Sequence, residues 1–157
     1  MAQLAVGDKA PAFTLTDQHG NRVRLSSFRG SNVVVYFYPK ADTPGCTTQS
    51  CAVRDAIEDL RELDAVVLGI SPDPPAKQAK FDEKHALGFP LLADEDHAVA
   101  EAWGVWGEKS LYGKKYMGVV RSAFVVGPTG RLVGVFVKVS PKDTVPRVVK
   151  ALRDAIS

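Results

Sequence analysis

The chain has 157 residues, 45% of them hydrophobic, which is enough to bury one sizeable core and sits within the usual single-domain range. Its 20 basic and 18 acidic residues leave a net charge of +2 with no block of five like charges, so neither nucleic acid nor an anionic membrane surface is indicated as a partner. No window nears the roughly 18 continuous apolar residues of a membrane span, and the start, "MAQLAVGDKAPAF", lacks a basic segment followed by an apolar one; a soluble, cytoplasmic protein is expected, with residues 1–157 as a single domain.

In "AFTLTDQHGNRVRL", Phe13 and Leu15 alternate with Thr14 and Thr16, and Gly20-Asn21 interrupts the run before Val23 and Leu25. The pattern predicts an N-terminal β-hairpin. "NVVVYFYP", from Asn32, is an unbroken β-branched and aromatic run, as in a strand buried on both faces, and Pro39 ends it. From Cys46 on, Val53, Ala56, Ile57, Leu60 and Leu63 recur at helical spacing and predict one amphipathic helix. "AVVLGIS", Ala65 to Ser71, is a second buried-type strand, and the order strand, helix, strand makes a βαβ unit.

"PDPPAKQAKFDEKHAL" opens a helix with prolines where a missing N–H costs nothing. "FPLLAD" predicts a short strand and "DEDHAVAEAWGV" a short helix. "GVWGEKSLYGKKYMG", Gly104 to Gly118, reads as a long irregular segment and a candidate wall for a site. A second hairpin follows, Ala123 to Val126 and Leu132 to Val139 around Gly-Pro-Thr-Gly, and then a terminal helix from Asp143. A βαβ half followed by a ββα half predicts an α/β protein of thioredoxin-like fold: a mixed central sheet flanked by helices, with the N-terminal hairpin added. That pattern alone assigns no chemistry.

Chemistry enters with "YFYPKADTPGCTTQSC", which holds both cysteines of the chain. Two cysteines cannot staple a secreted scaffold, and a reducing compartment keeps them as thiols unless they turn over. Cys46 falls where the strand ends, "DTPG" reverses the chain and a helix begins. First-turn N–H groups lack intrahelical partners and favour an anion, so a thiol there ionises more readily than a free one. Buried cysteines are most often inert packing residues; the helix start and the second cysteine point the other way. An intact helix separates Cα atoms five residues apart by roughly 8.6 Å, whereas a disulfide needs less than about 7 Å. A bridge to Cys51 therefore requires the helix start to unwind, which fits a transient bridge better than a resting one. A zinc cluster lacks its other ligands, because His19, His85 and His97 are scattered, and a dithiol exchanger lacks its Cys-x-x-Cys.

These residues resemble the peroxiredoxin family, whose motif is Pro, three residues, Thr or Ser, two residues, Cys: here Pro39, Thr43 and Cys46. The cysteine five residues on, together with "GDKAPAFTL" and "KKYMGVVRSAFVVGPTG", is similar to the bacterioferritin comigratory protein group, also called peroxiredoxin Q. The resemblance covers nearly the whole chain; Ala12 departs from the acidic residue of many relatives. It implies a peroxidase that reduces hydrogen peroxide and organic hydroperoxides, with Cys46 as peroxidatic cysteine, Cys51 as resolving cysteine and Arg121 beside the thiolate. Thr43 offers a hydroxyl to the peroxide and Pro39 shields the thiolate without adding a donor. It further implies recycling by thioredoxin or a similar dithiol donor, a monomer, and no metal, haem or flavin. A peroxide sensor that passes its oxidation to another protein shares the first step and is left open by the residues.

Overall fold

The computed structural model describes residues 3–156. Its central strand, β3 (Asn32–Phe37), is buried at all six positions. Successive side chains of a strand point to opposite faces, so an unbroken apolar run must serve two cores at once. Val34 and Tyr36 enter one core, and Val33, Val35 and Phe37 enter the other. On one side β3 pairs in parallel with β4 (Ala65–Ser71), and on the other it pairs antiparallel with β8 (Ser122–Val126). The sheet extends through β5 (Leu91–Ala93), parallel to β4, to the hairpin of β1 (Thr14–Asp17) and β2 (Arg22–Arg24), and ends at the opposite edge with β9 (Leu132–Val137). The spatial order is β2-β1-β5-β4-β3-β8-β9, a mixed seven-stranded sheet.

The first core lies beneath four helices, α1 (Pro44–Asp55), α2 (Ile57–Glu62), α3 (Pro75–His85) and α5 (Thr144–Ile156). Cys46, Val53, Leu60, Phe81, Val148 and Leu152 are their contributions. The second core is covered by the N-terminal segment, the 3₁₀ turn Leu25–Phe28 and the short helix α4 (Ala98–Ala102). At its centre Phe124 packs edge-on against Phe37 and Trp103, at centroid distances of 5.9 and 5.0 Å. Helices and covering segments on both faces match the thioredoxin-like architecture expected from the element order. Among the described residues no helix is long and apolar enough to cross a membrane.

Three local expectations are corrected. The single helix predicted after Cys46 is interrupted at Ala56, whose backbone sits at φ −96° and ψ 3° and whose N–H is shared between the carbonyls of Ala52 and Val53. The apolar spacing carries on across this tightened turn because Val53 and Leu60 still reach the same core, which hides the break. Residues 104–118 are mostly not irregular: β6 (Trp106–Leu111) and β7 (Lys114–Val119) form a separate two-stranded hairpin around Tyr112-Gly113, both at positive φ. Two central residues at positive φ suit the right-handed twist of a hairpin, and the largely exposed strands lack the in-out alternation that would reveal them. Finally, the run expected to reach Val139 ends at Val137, because Lys138 turns the chain at φ +61°.

Truncating Phe124 to Ala removes the ring that joins both aromatic neighbours in a fully buried position. Phe124→Ala is expected to lower unfolding free energy by about 3–5 kcal/mol in urea titrations, and a loss below about 1 kcal/mol would show that the second core is not close-packed here.

Candidate active site

The carboxyl end of β3 runs through Tyr38 and Pro39 into the loop 40–43 and then into α1. Pro44 occupies the first helical position and Thr43 the N-cap in extended conformation, where proline's missing N–H leaves no intrahelical bond unmade. Cys46 is thus in the first helical turn, where backbone donors lack intrahelical acceptors. Its side chain is fully buried, while Cys51 lies further along the same unbroken helix, half-buried; both are free thiols.

Arg121 precedes β8 and crosses to the helix start. Its Nη2 donates to Cys46 Sγ at 3.4 Å, and its Nη1 donates to Gln49 Oε1 at 2.8 Å. Gln49, wholly buried, donates through Nε2 to Thr144 Oγ1 at 3.0 Å, and Thr144 donates in turn to the Ser140 carbonyl at 3.0 Å. The guanidinium is therefore fixed at both ends of its fork. It can approach this closely because residue 45 is glycine: a Cβ there would lie 2.9 Å from Nη2.

Around this pair, Tyr36 shares a hydrogen bond of 2.8 Å with Ser50 on α1. Burial pushes the Tyr36 phenol well above its ordinary range, with the nearby Cys46 acting in the same direction and the Ser50 bond opposing it. On the hairpin, Lys109 donates to the Val119 carbonyl at 2.9 Å. Burial holds its ammonium below the usual lysine range; the positive charge of Arg121 adds to this and Cys46 counters it. The segment expected to wall the site thus brings a second cation into its electrostatic reach.

Thr43 does not cap α1 with its side chain; its Oγ1 donates to the Lys40 carbonyl at 2.8 Å. The same loop is tied to the end of α3 by Asp42, which meets Lys84 at 2.9 Å and His85 at 3.1 Å. Those two partners hold the Asp42 carboxyl below the usual carboxylate range. Arg54 of α1 donates to the His85 carbonyl at 2.7 Å, so helix and loop share an anchor.

The structure therefore brings Cys46 and Arg121 into contact, places Thr43 at the N-cap three residues before the sulfur, sets Pro39 at the loop's entrance, and keeps Cys51 on the intact helix. Gln49, Thr144 and Lys109 escaped the sequence reading, as did the space that Gly45 leaves for Arg121. Gln49 had a signal, since a residue three after Cys46 shares its helix face. Thr144, 95 residues from its partner, had none.

Comparison with known proteins identifies the family. The family model of the AhpC/TSA family matches residues 6–135. The Bacillus subtilis peroxiredoxin Bcp is 48% identical over 151 residues, 96% of each chain. The Mycobacterium tuberculosis peroxidoxin BcpB superposes with a TM-score of 0.86 at 38% identity, over 97% of this chain and 98% of that one. A Xanthomonas campestris bacterioferritin comigratory protein, studied for its alkyl peroxide reduction activity, gives a TM-score of 0.87 at 32% identity over 92% of both chains. The chain belongs to the AhpC/TSA family and, within it, to the Bcp/PrxQ peroxiredoxins: it is a thiol peroxidase, an oxidoreductase that takes peroxide as substrate and a dithiol as reductant.

Proposed function

We propose that Cys46 is the peroxidatic cysteine and that it reduces hydrogen peroxide and small organic hydroperoxides. The observation that carries this is the fixed guanidinium of Arg121, 3.4 Å from a buried sulfur in the first turn of a helix. A thiolate attacks one peroxide oxygen; the S–O bond forms as the O–O bond breaks, and the departing oxygen takes a proton to leave as water or an alcohol. Charge develops on that oxygen, so donors already in place lower the barrier. Arg121 and the amides of Gly45 and Cys46 are such donors. Thr43 acts as the acceptor: its own hydrogen is committed to the Lys40 carbonyl, which leaves the oxygen lone pairs for the hydrogen of the peroxide. Pro39 brings no N–H to compete for the sulfur.

The product is a Cys46 sulfenic acid, which condenses with the Cys51 thiol to give a disulfide and water. Because both residues lie in one continuous helix, and helix geometry holds them beyond bridging distance, the first turns of α1 unwind in this step. Thioredoxin or a similar dithiol donor then reduces the bridge by exchange. The enzyme works as a cytoplasmic monomer, residues 1–157 forming one peroxiredoxin domain.

One equivalent of hydrogen peroxide added to the reduced protein is expected to produce an intramolecular Cys46–Cys51 bridge, seen by intact and peptide mass spectrometry as the loss of two hydrogens. Cys46→Ser should abolish peroxide consumption, and Cys51→Ser should form the sulfenic acid and then over-oxidise; peroxide consumption that survives Cys46→Ser, or two intact thiols in the unsubstituted protein, would overturn the cycle. In stopped-flow measurements of Cys46 oxidation, Arg121→Ala should slow the peroxide step by on the order of 10²-fold. An unchanged rate would remove the guanidinium from the chemistry. Gly45→Ala pushes a methyl group against that guanidinium, so a loss of about tenfold is expected in the same assay, and wild-type kinetics would mean the fork can shift without consequence.

A further inference from the structure

Behind the loop 40–43 lies a buried polar chain. Asp73, at the carboxyl end of β4, accepts the Ala41 N–H at 2.7 Å through Oδ2. The same oxygen accepts the Ser71 hydroxyl at 2.7 Å, and Ser71 Oγ accepts Gln78 Nε2 at 2.8 Å. Gln78 Oε1 accepts the Tyr38 hydroxyl, one residue before Pro39. Tyr38, Ser71, Asp73 and Gln78 are all buried. Asp73 directly precedes Pro74, the N-cap of α3, yet that helix start has no side-chain cap; the Asp73 carboxylate is used on the loop instead.

The geometry is specific at one peptide unit. The Ala41 N–H and the Lys40 carbonyl belong to the same peptide plane, whose atoms cannot turn independently. Its N–H end is held by Asp73 and its carbonyl end takes the Thr43 hydroxyl hydrogen at 2.8 Å. In a trans peptide these two groups point in opposite directions, so fixing one fixes the other. A carboxylate accepting at the N–H also strengthens the carbonyl as an acceptor.

We propose that Asp73 is a positioning residue for the peroxide step: its carboxylate, oriented by Ser71, locks the Lys40–Ala41 peptide so that Thr43 keeps its hydrogen on the Lys40 carbonyl and presents its oxygen as acceptor to the peroxide. The inference rests on the reading of Cys46 and Thr43 given above. Asp73 acts only through Thr43, which separates this role from general support of the fold.

The test is a double-mutant cycle of Asp73→Ala and Thr43→Val in the full chain, read as the second-order rate of Cys46 oxidation by hydrogen peroxide. Alkylation of Cys46 by iodoacetamide, which needs no acceptor at Thr43, is measured alongside. Asp73→Ala is expected to slow oxidation about tenfold and to change alkylation by less than about twofold; in the Thr43→Val background it should cost no more than about twofold further. The same loss in both backgrounds, or a parallel loss in alkylation, overturns the proposal. Should Asp73→Ala fail to fold, Ser71→Ala carries the same comparison: a loss of about threefold that vanishes with Thr43→Val supports the relay, and one that persists rejects it. If peroxide fails to oxidise Cys46 in the unsubstituted protein, the reading of the site itself falls, and the relay with it.

Discussion

Everything around the site follows from holding one guanidinium against a sulfur that solvent does not reach. A charge drawn partly out of water is costly unless it is paired and hydrogen-bonded, and the half-buried Arg121 meets this with Cys46 on one nitrogen and Gln49 on the other. Gln49 is in turn oriented by Thr144 at the start of α5. The consequence is that the terminal helix, the first helix and the segment before β8 converge on a single side chain. Gly45 completes the arrangement by leaving the space that a methyl group would take.

The proposed cycle asks two opposed things of α1. Capture of peroxide needs the helix start folded, because its amides and Arg121 must be in place before charge develops. Bridging to Cys51 needs it open. The loop leading into this helix is tethered at the surface, and α1 itself by buried hydrogen bonds, Gln49 to Thr144 and Tyr36 with Ser50. Asp42 with Lys84 and His85 is a largely exposed ion-pair cluster, and such pairs contribute little in water, whereas the sheet beneath is buried on both faces. Unwinding can therefore be local, with β3 and its neighbours unaffected. The break at Ala56 divides α1 from α2, so Leu60 can stay in the core while the preceding turns rearrange.

The loop between β3 and α1 is also held from within. Its anchors, Asp73, Ser71 and Gln78, are buried and mutually hydrogen-bonded, and networks in a low-dielectric setting resist partial disruption. The loop that carries Thr43 thus rests on the rigid end of β4, and the helix that opens carries buried bonds of its own through Gln49 and Ser50.

The sequence by itself determined most of the local elements and the family. Periodicity is a local property, so the doubly buried β3, the strand β4, the helix α3 and the terminal helix were all legible, and the Pro39, Thr43, Cys46 spacing marked the site. Arg121 was identifiable by family resemblance, its contact with the sulfur only by folding. The β6–β7 hairpin was missed because exposed strands carry no burial pattern, and the break at Ala56 because apolar spacing continued across it. What the tertiary structure alone decided are the pairings between distant segments: Gln49 with Thr144 across 95 residues and Ala41 with Asp73 across 32. A glutamine or an aspartate has no intrinsic partner in a sequence. Only the packing of strands and helices brings its donor or acceptor within reach and removes the water that would otherwise satisfy it.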